Sequence, residues 1–174
     1  SIGTVQDITE SHKSKLELAK ATKLVEESEK KFRELFEKSS DAILITVNSK
    51  IIDSNEATVK LFGYKSKQDF LDIHPSQLSP KLQPDGSNSF DKAEVMINTA
   101  YKKGFNKFEW VHKRSNGEVF PTEVLLTSIL NTPKEKIIHG VVRDITNQKN
   151  AEEKLKVKNK ELRLSEEKFK SLFD

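Results

Sequence analysis

The 174-residue chain contains no cysteine. Disulfides, thiolate metal sites and cysteine nucleophiles are excluded, and a cytoplasmic location is the expectation. No apolar run approaches the roughly 18 residues that a membrane span needs, and no signal peptide is present, so no membrane contact is expected of this piece. Segregated positive charge is missing too. The 30 Lys and Arg residues are interleaved with 27 Asp and Glu, leaving a net charge of +3. A nucleic-acid surface needs clustered basic residues and aromatic platforms, so nucleic acid is not an expected partner. No catalytic constellation is visible: no phosphate-cradling glycine loop, no Ser/His/Asp spacing, no paired carboxylates, no kinase phosphoacceptor or cyclase motif. His12, His74, His112 and His139 form no metal-spaced cluster. The piece is therefore expected to be non-catalytic.

What is present is an unusually wet composition, 34% apolar against 33% charged residues. That balance suits one core domain with long solvated helices outside it. The stretch Gly140-Val141-Val142-Arg143-Asp144-Ile145-Thr146 ends a β-branched run and opens a charged helical one. Val5-Gln6-Asp7-Ile8-Thr9 echoes it 137 residues earlier. In both copies a Ser-Glu-x-Lys-Phe block follows the Asp by 21 residues, at Ser28 and at Ser165. The repetition predicts a tandem array, and the missing initiating Met predicts an excised piece of one. Residues 1–9 are then the tail of a preceding unit, 10–39 a linker helix, 40–146 a core domain, and 147–174 a helix running into the next unit.

The helical segments carry sparse apolar residues at heptad spacing. Leu18, Val25 and Phe32 fall seven apart, with Leu35 and Phe36 beyond them, and Leu155, Leu162 and Phe169 repeat the pattern. This fits a weak parallel coiled coil and a homodimer, or a single amphipathic helix lying on its own domain. Twenty-one residues is three heptads, so the seam keeps its phase from unit to unit; equal spacing is also what recent duplication leaves. Thr9 is placed as an N-cap. Between the helices, strands are predicted at 43–47, 51–54, 107–114, 119–130 and 137–145. Helical segments are predicted at 56–62, 67–71 and 89–103, and a surface loop at 74–88. An antiparallel sheet with short helices on one face is an α+β domain.

Four motifs sit in that order: Phe32-Arg33-Glu34-Leu35-Phe36-Glu37 before Ser40-Asp41-Ala42-Ile43; Ile52-Asp53-Ser54-Asn55-Glu56-Ala57 through Leu61-Phe62-Gly63-Tyr64; Trp110-Val111-His112-Lys113-Arg114-Ser115-Asn116-Gly117; and Val142-Arg143-Asp144-Ile145-Thr146. Together they resemble the PAS domain family over Ser28 to Thr146. The last motif is similar to the Asp-Ile-Thr signature that joins a PAS core to its output helix. The resemblance implies a five-stranded antiparallel PAS sheet. It also implies a sensor or dimerisation role in signal-transduction proteins such as two-component histidine kinases, cyclases and chemoreceptors, with neighbouring PAS repeats and an output domain as partners in the parent chain.

In that family a ligand lies between the sheet's inner face and the short helices. Alternation places Leu44, Thr46, Ser54, Trp110, His112, Thr122, Val124, Leu126, Ile138, Gly140 and Val142 inward, with Met96 on the helix opposite. A mostly apolar pocket with His112, Thr122 and Ser54 as polar points fits a small ligand, and Gly140 leaves room beside it. The same residues also describe a filled core. The segment Leu78 to Gly86 is either a lid or a plain surface loop. No cofactor is predicted. Photoreactive flavin members need a cysteine for the adduct, the helix 89–103 offers no haem histidine, and His74 beside Pro75 reads as structural; haem and non-covalent flavin are disfavoured. At the junction, Thr146 is expected to cap the output helix, Asp144 to bond neighbouring backbone or core, and Ile145 to anchor by packing. Three functions compete on the sequence: a ligand-binding sensor relaying through coiled-coil helices, a ligand-free dimerisation spacer, and an unrecognised enzyme.

Overall fold

The computed structural model describes residues 2–174 and falls into two compact units, Ser1–Ser39 and Ser40–Asp174. The first is a single helix, α1 (Ile2–Lys38). Thr9 does not cap it. Thr9 lies inside the helix and its hydroxyl donates to the Val5 carbonyl at 2.9 Å. The segment that echoes the strand-to-helix junction is thus helical here. A strand needs a neighbour's ladder for its amides, whereas a helix satisfies its own. Leu18, Val25, Phe32 and Leu35 are exposed along α1, and the Phe32 and Phe36 rings stack with centroids 5.7 Å apart.

The second unit is built on five antiparallel strands: β1 (Ala42–Val47), β2 (Lys50–Ser54), β3 (Phe105–Lys113), β4 (Val119–Asn131) and β5 (Lys136–Asp144). Their order is β2-β1-β5-β4-β3, so the last strand in sequence is the central one. The β1–β2 turn is two residues long, with Asn48 and Ser49 both at positive φ, 49° and 62°. That backbone matches the twist of the strands it joins. Strict alternation breaks once in β2 and once in β4. In β2 the register slips opposite Ile45/Thr46, so that Ile51 and Ser54 are both buried while Ile52 is exposed. In β4 it slips between Ser128 and Leu130, which turns Ile129 out to solvent. Each is a bulge, and a bulge is invisible to a period-two pattern.

The helices α2 (Glu56–Phe62) and α3 (Ser89–Lys103), with 3-10 turns at Lys67–Phe70 and Pro75–Leu78, cover the inner face. Asn55 caps α2 by accepting from the Thr58 amide at 3.1 Å, and Gly63 ends it at φ 69°, where a side chain is disfavoured. Ala93, Ile97 and Ala100 form the buried stripe of α3. Phe62, Phe70, Leu78, Trp110, Phe120, Val124 and Val142 join one core cluster between these helices and the sheet. Helix α4 (Thr146–Ser171) leaves the end of β5, with Leu155, Leu162 and Phe169 exposed along it. No described helix is long and apolar enough to cross a membrane.

Candidate functional site

The centre of the sheet has a gap in its side-chain layer. Gly140 on β5 pairs with Leu44 on β1 and with Leu126 on β4. Cross-strand partners share a face, so the inner face carries leucine, nothing, leucine along that row. Beneath the gap lies a cavity of about 60 Å³, lined on the sheet side by Leu44, Thr46, Trp110, His112, Val124, Leu126, Ile138, Gly140 and Val142. Phe108, Ala93 and Ile97 complete its walls, and Pro75 with Ser76 closes one side. A water needs roughly 10–15 Å³ on this measure, so the space takes about four or five non-hydrogen atoms.

Among the described residues, His112 is the one ionisable side chain in that lining. Its Nδ1 lies 2.8 Å from the Thr122 hydroxyl, which donates onward to the Trp110 carbonyl at 3.0 Å. With the hydroxyl proton so committed, Nδ1 carries the ring proton and donates it to Thr122. Phe62 meets the imidazole edge-on, its centroid 5.2 Å away. Burial pushes the His112 pKa down to about 3, so the ring is neutral at any ordinary pH.

The segment from His74 to Asn88 is not a plain surface loop. Leu78, Ser79 and Gln83 are buried in it. The Trp110 indole donates to the Ser79 hydroxyl at 2.9 Å. The Gln83 carboxamide accepts from the Val111 amide at 3.0 Å and donates to the Val111 carbonyl at 3.1 Å, copying a strand partner on the open edge of β3. The cavity wall is set earlier, at Pro75 and Ser76, rather than at 78–86. His74 holds that turn: Nδ1 contacts Ser76 through its amide at 3.2 Å and its hydroxyl at 2.7 Å, and Nε2 reaches Glu94 of α3 at 3.0 Å. Both ring nitrogens are engaged within the fold, which is a structural role. Among the described residues no group of His, Asp and Glu could hold a metal ion.

The strand that roofs the cavity ends at α4. Ile145, buried, occupies the cap position of α4, and its amide donates to the Pro121 carbonyl at 3.1 Å. Thr146 is not the N-cap but the first helical residue; the capping acceptor is Asp144. Asp144 Oδ1 accepts from the Thr146 amide at 2.9 Å and from its hydroxyl at 2.6 Å, while Oδ2 accepts from Arg114 at 2.7 Å. Burial opposes ionisation of Asp144, but the Thr146 bonds and Arg114 outweigh it and hold the carboxyl below its usual range. Arg114 also donates to the Leu61 carbonyl at the end of α2 and lies 3.8 Å over the Phe120 ring. Lys149 of α4 pairs with Glu109 at 2.7 Å, and Arg143 makes two bonds to Asp41, at 3.0 and 2.7 Å.

With this geometry established, comparison with known proteins is decisive for the family. The PAS domain family model matches residues 40–147, more than half of the chain. The chain belongs to the PAS domain family. No curated protein matches it. Among solved structures, a PAS domain from Colwellia psychrerythraea superposes with a TM-score of 0.57 at 23% identity, covering 68% of this chain and 97% of that one. A PAS domain from a two-component sensor histidine kinase gives 0.54 at 20% identity, covering 68% and 98%. The PAS domain of a LuxR-family transcriptional regulator from Burkholderia thailandensis, solved in complex with ethanol, gives 0.55 at 18%, covering 66% and 96%. At these identities the likeness is one of fold.

Of the residues expected to line a pocket in this PAS domain, Leu44, Thr46, Trp110, His112, Val124, Gly140 and Val142 surround the cavity. Ser54, Thr122 and Met96 do not. Ser54 is fully buried behind the β2 bulge, its hydroxyl without a partner among the described residues. Thr122 lies under His112 and orients it. Met96 is turned aside because one residue is a 100° step around α3, and Ile97 and Ala93 take the cavity side. Missed by sequence reasoning were the Pro75–Ser76 wall and Arg114. Alternation does not reach irregular backbone, and an arginine at a strand end reads as a solvated charge.

Proposed function

We propose that this PAS domain is the sensory module of a multidomain signal-transduction protein, taking a small ligand into the cavity under β5 and relaying its presence to α4. The observation that carries the reading is continuity. Gly140 and Val142 line the cavity, and two residues later the same strand reaches Asp144, which holds the first turn of α4. A ligand that shifts β5 biases that turn, and this is the two-state element such a relay requires. Exposed apolar residues at heptad spacing on α1 and on α4, Leu18 and Val25 on the one and Leu155 and Leu162 on the other, support a homodimer with coiled-coil flanks. The reading assigns no catalytic step, cofactor or metal to this chain. Neighbouring PAS repeats and an output domain of the parent are its partners, in the cytoplasm.

The experiment is native against denaturing mass spectrometry of the purified domain, followed by amide exchange at Thr146–Lys149 with and without whatever is bound. Extra native mass together with altered exchange at the junction supports the sensor. A second reading, a ligand-free dimerisation spacer, is favoured by the small size of the cavity. Dimers with no bound mass and an unresponsive junction would establish it.

A further inference from the structure

His112, a residue of the cavity lining, carries an acceptor that the protein leaves unused. His112 spends Nδ1–H on Thr122, so Nε2 carries a lone pair, and no hydrogen bond to Nε2 is found among the described residues. The cavity is otherwise walled by Phe108, Val124, Leu126, Ile138 and Val142 among others, and no charged side chain among the described residues lines the space. Such a site penalises any ion, because nothing there replaces lost water or neutralises a charge. It also discriminates among neutral molecules. A ligand without a donor displaces water and leaves Nε2 unpaired, whereas one with a hydroxyl completes the imidazole's second bond. The other polar group of the lining with no hydrogen bond among the described residues, the Thr46 hydroxyl, sits on β1, three strands from β3 in the order β1-β5-β4-β3. That is about 14 Å at 4.8 Å per strand, beyond the reach of a molecule of four or five heavy atoms. Thr46 both donates and accepts, so it does not select between donor and acceptor ligands.

We infer that, if the cavity is the sensor site proposed above, its ligands are uncharged short-chain molecules of about four or five non-hydrogen atoms that donate one hydrogen bond to His112 Nε2 and lay an apolar tail against Trp110 and Val124. The burial that keeps His112 neutral keeps this acceptor available across the physiological pH range.

The test uses three probes of matched size on the whole chain: 1-butanol, its isomer diethyl ether, and propionate. Methyl resonances of Leu44, Val124 and Val142 report entry, and the His112 Nε2 nitrogen signal reports the hydrogen bond. The expected result is entry of 1-butanol at roughly ten- to a hundredfold lower concentration than the ether, a moved Nε2 signal with the alcohol only, and no response to propionate. In His112→Phe, which keeps the ring and removes the acceptor, the alcohol and the ether should become equivalent. If that variant does not fold, the Nε2 signal of the unaltered protein still separates alcohol from ether. Equal entry of alcohol and ether, or a preference that survives His112→Phe, overturns the ligand class while leaving the cavity a binding site. No entry by any probe overturns the sensor reading along with it.

Discussion

Arg114 and Asp144, thirty residues apart, meet at 2.7 Å beside the start of α4, and each has a second commitment: Arg114 to the Leu61 carbonyl, Asp144 to the Thr146 amide and hydroxyl. One guanidinium therefore links the end of α2, the β3–β4 turn and the first turn of α4. Asp144→Ala removes both the cap and the pair, and should cost about 1–2 kcal/mol. Arg114→Leu should raise amide exchange at Thr146 and Asn147 as Asp144→Ala does. The double variant should lose less than the sum of the two, since both touch one network. Urea midpoints and exchange rates measure this; strict additivity would show that the contact transmits nothing.

Stability should decline on mild acidification because of His112. The unfolded chain takes up a proton below about pH 6.5, whereas the folded imidazole refuses it until about pH 3. Stability is fully present above the upper value and is lost as pH falls through that window, at about 1.4 kcal/mol per pH unit. Between pH 7 and pH 5 the loss from this group is about 2 kcal/mol. Asp41, held low first by its bond from Arg143, and Asp144 act in the same sense further down, their contributions disappearing as pH falls below the usual carboxylate range. Chemical denaturation at both pH values should give a flatter profile in His112→Phe.

Gly140 should accept alanine and refuse leucine for different reasons. A Cβ built there lies 3.4 Å from Leu126 Cδ2 and 3.7 Å from the Leu44 carbonyl oxygen, ordinary contact distances. Gly140→Ala should leave the melting temperature within a few degrees. Gly140→Leu fills the space under β5 and should abolish entry of 1-butanol. Where the leucine exceeds the room, overpacking costs about 1–3 kcal/mol. Methyl shifts and melting curves on the two variants separate occupancy from strain.

Gln83 should prove structural out of proportion to its position in a loop. Its carboxamide both accepts from and donates to Val111 across the β3 edge. Gln83→Ala strands that backbone pair, at about 1–3 kcal/mol, and opens the edge to exchange with solvent. Faster exchange at the Val111 amide, with the centre of β4 unchanged, is the expected pattern.

Self-association should depend on the helices. Leu18 and Val25 are 69% and 64% exposed on α1, and Leu155 and Leu162 are 61% and 58% exposed on α4. Glutamate at Leu18 and Val25 together should convert dimers to monomers while leaving the melting temperature of the sheet domain unchanged, as followed by sedimentation. A wild-type chain that is monomeric at tens of micromolar would remove the homodimer from the proposed function.

The sequence by itself determined the elements and the inner face. Period-two alternation marked Phe108, Trp110 and His112, then Thr122, Val124 and Leu126, because a sheet with one buried face must place every second residue in the core. Asn55, Gly63 and Gly104 announced their helix ends because cap chemistry is local. Three things were left to tertiary structure. The bulges at Ile52 and Ile129 depend on which strand lies alongside, so Ser54 could be placed on a face but not relative to the cavity. The Pro75–Ser76 wall and the Gln83 clasp arise where irregular backbone meets a free edge, with no period to read. The cap of α4 passed from Thr146 to Asp144 because Arg114, thirty residues upstream, fixes the carboxylate in place; partners that distant become neighbours only when β3, β4 and β5 are in register.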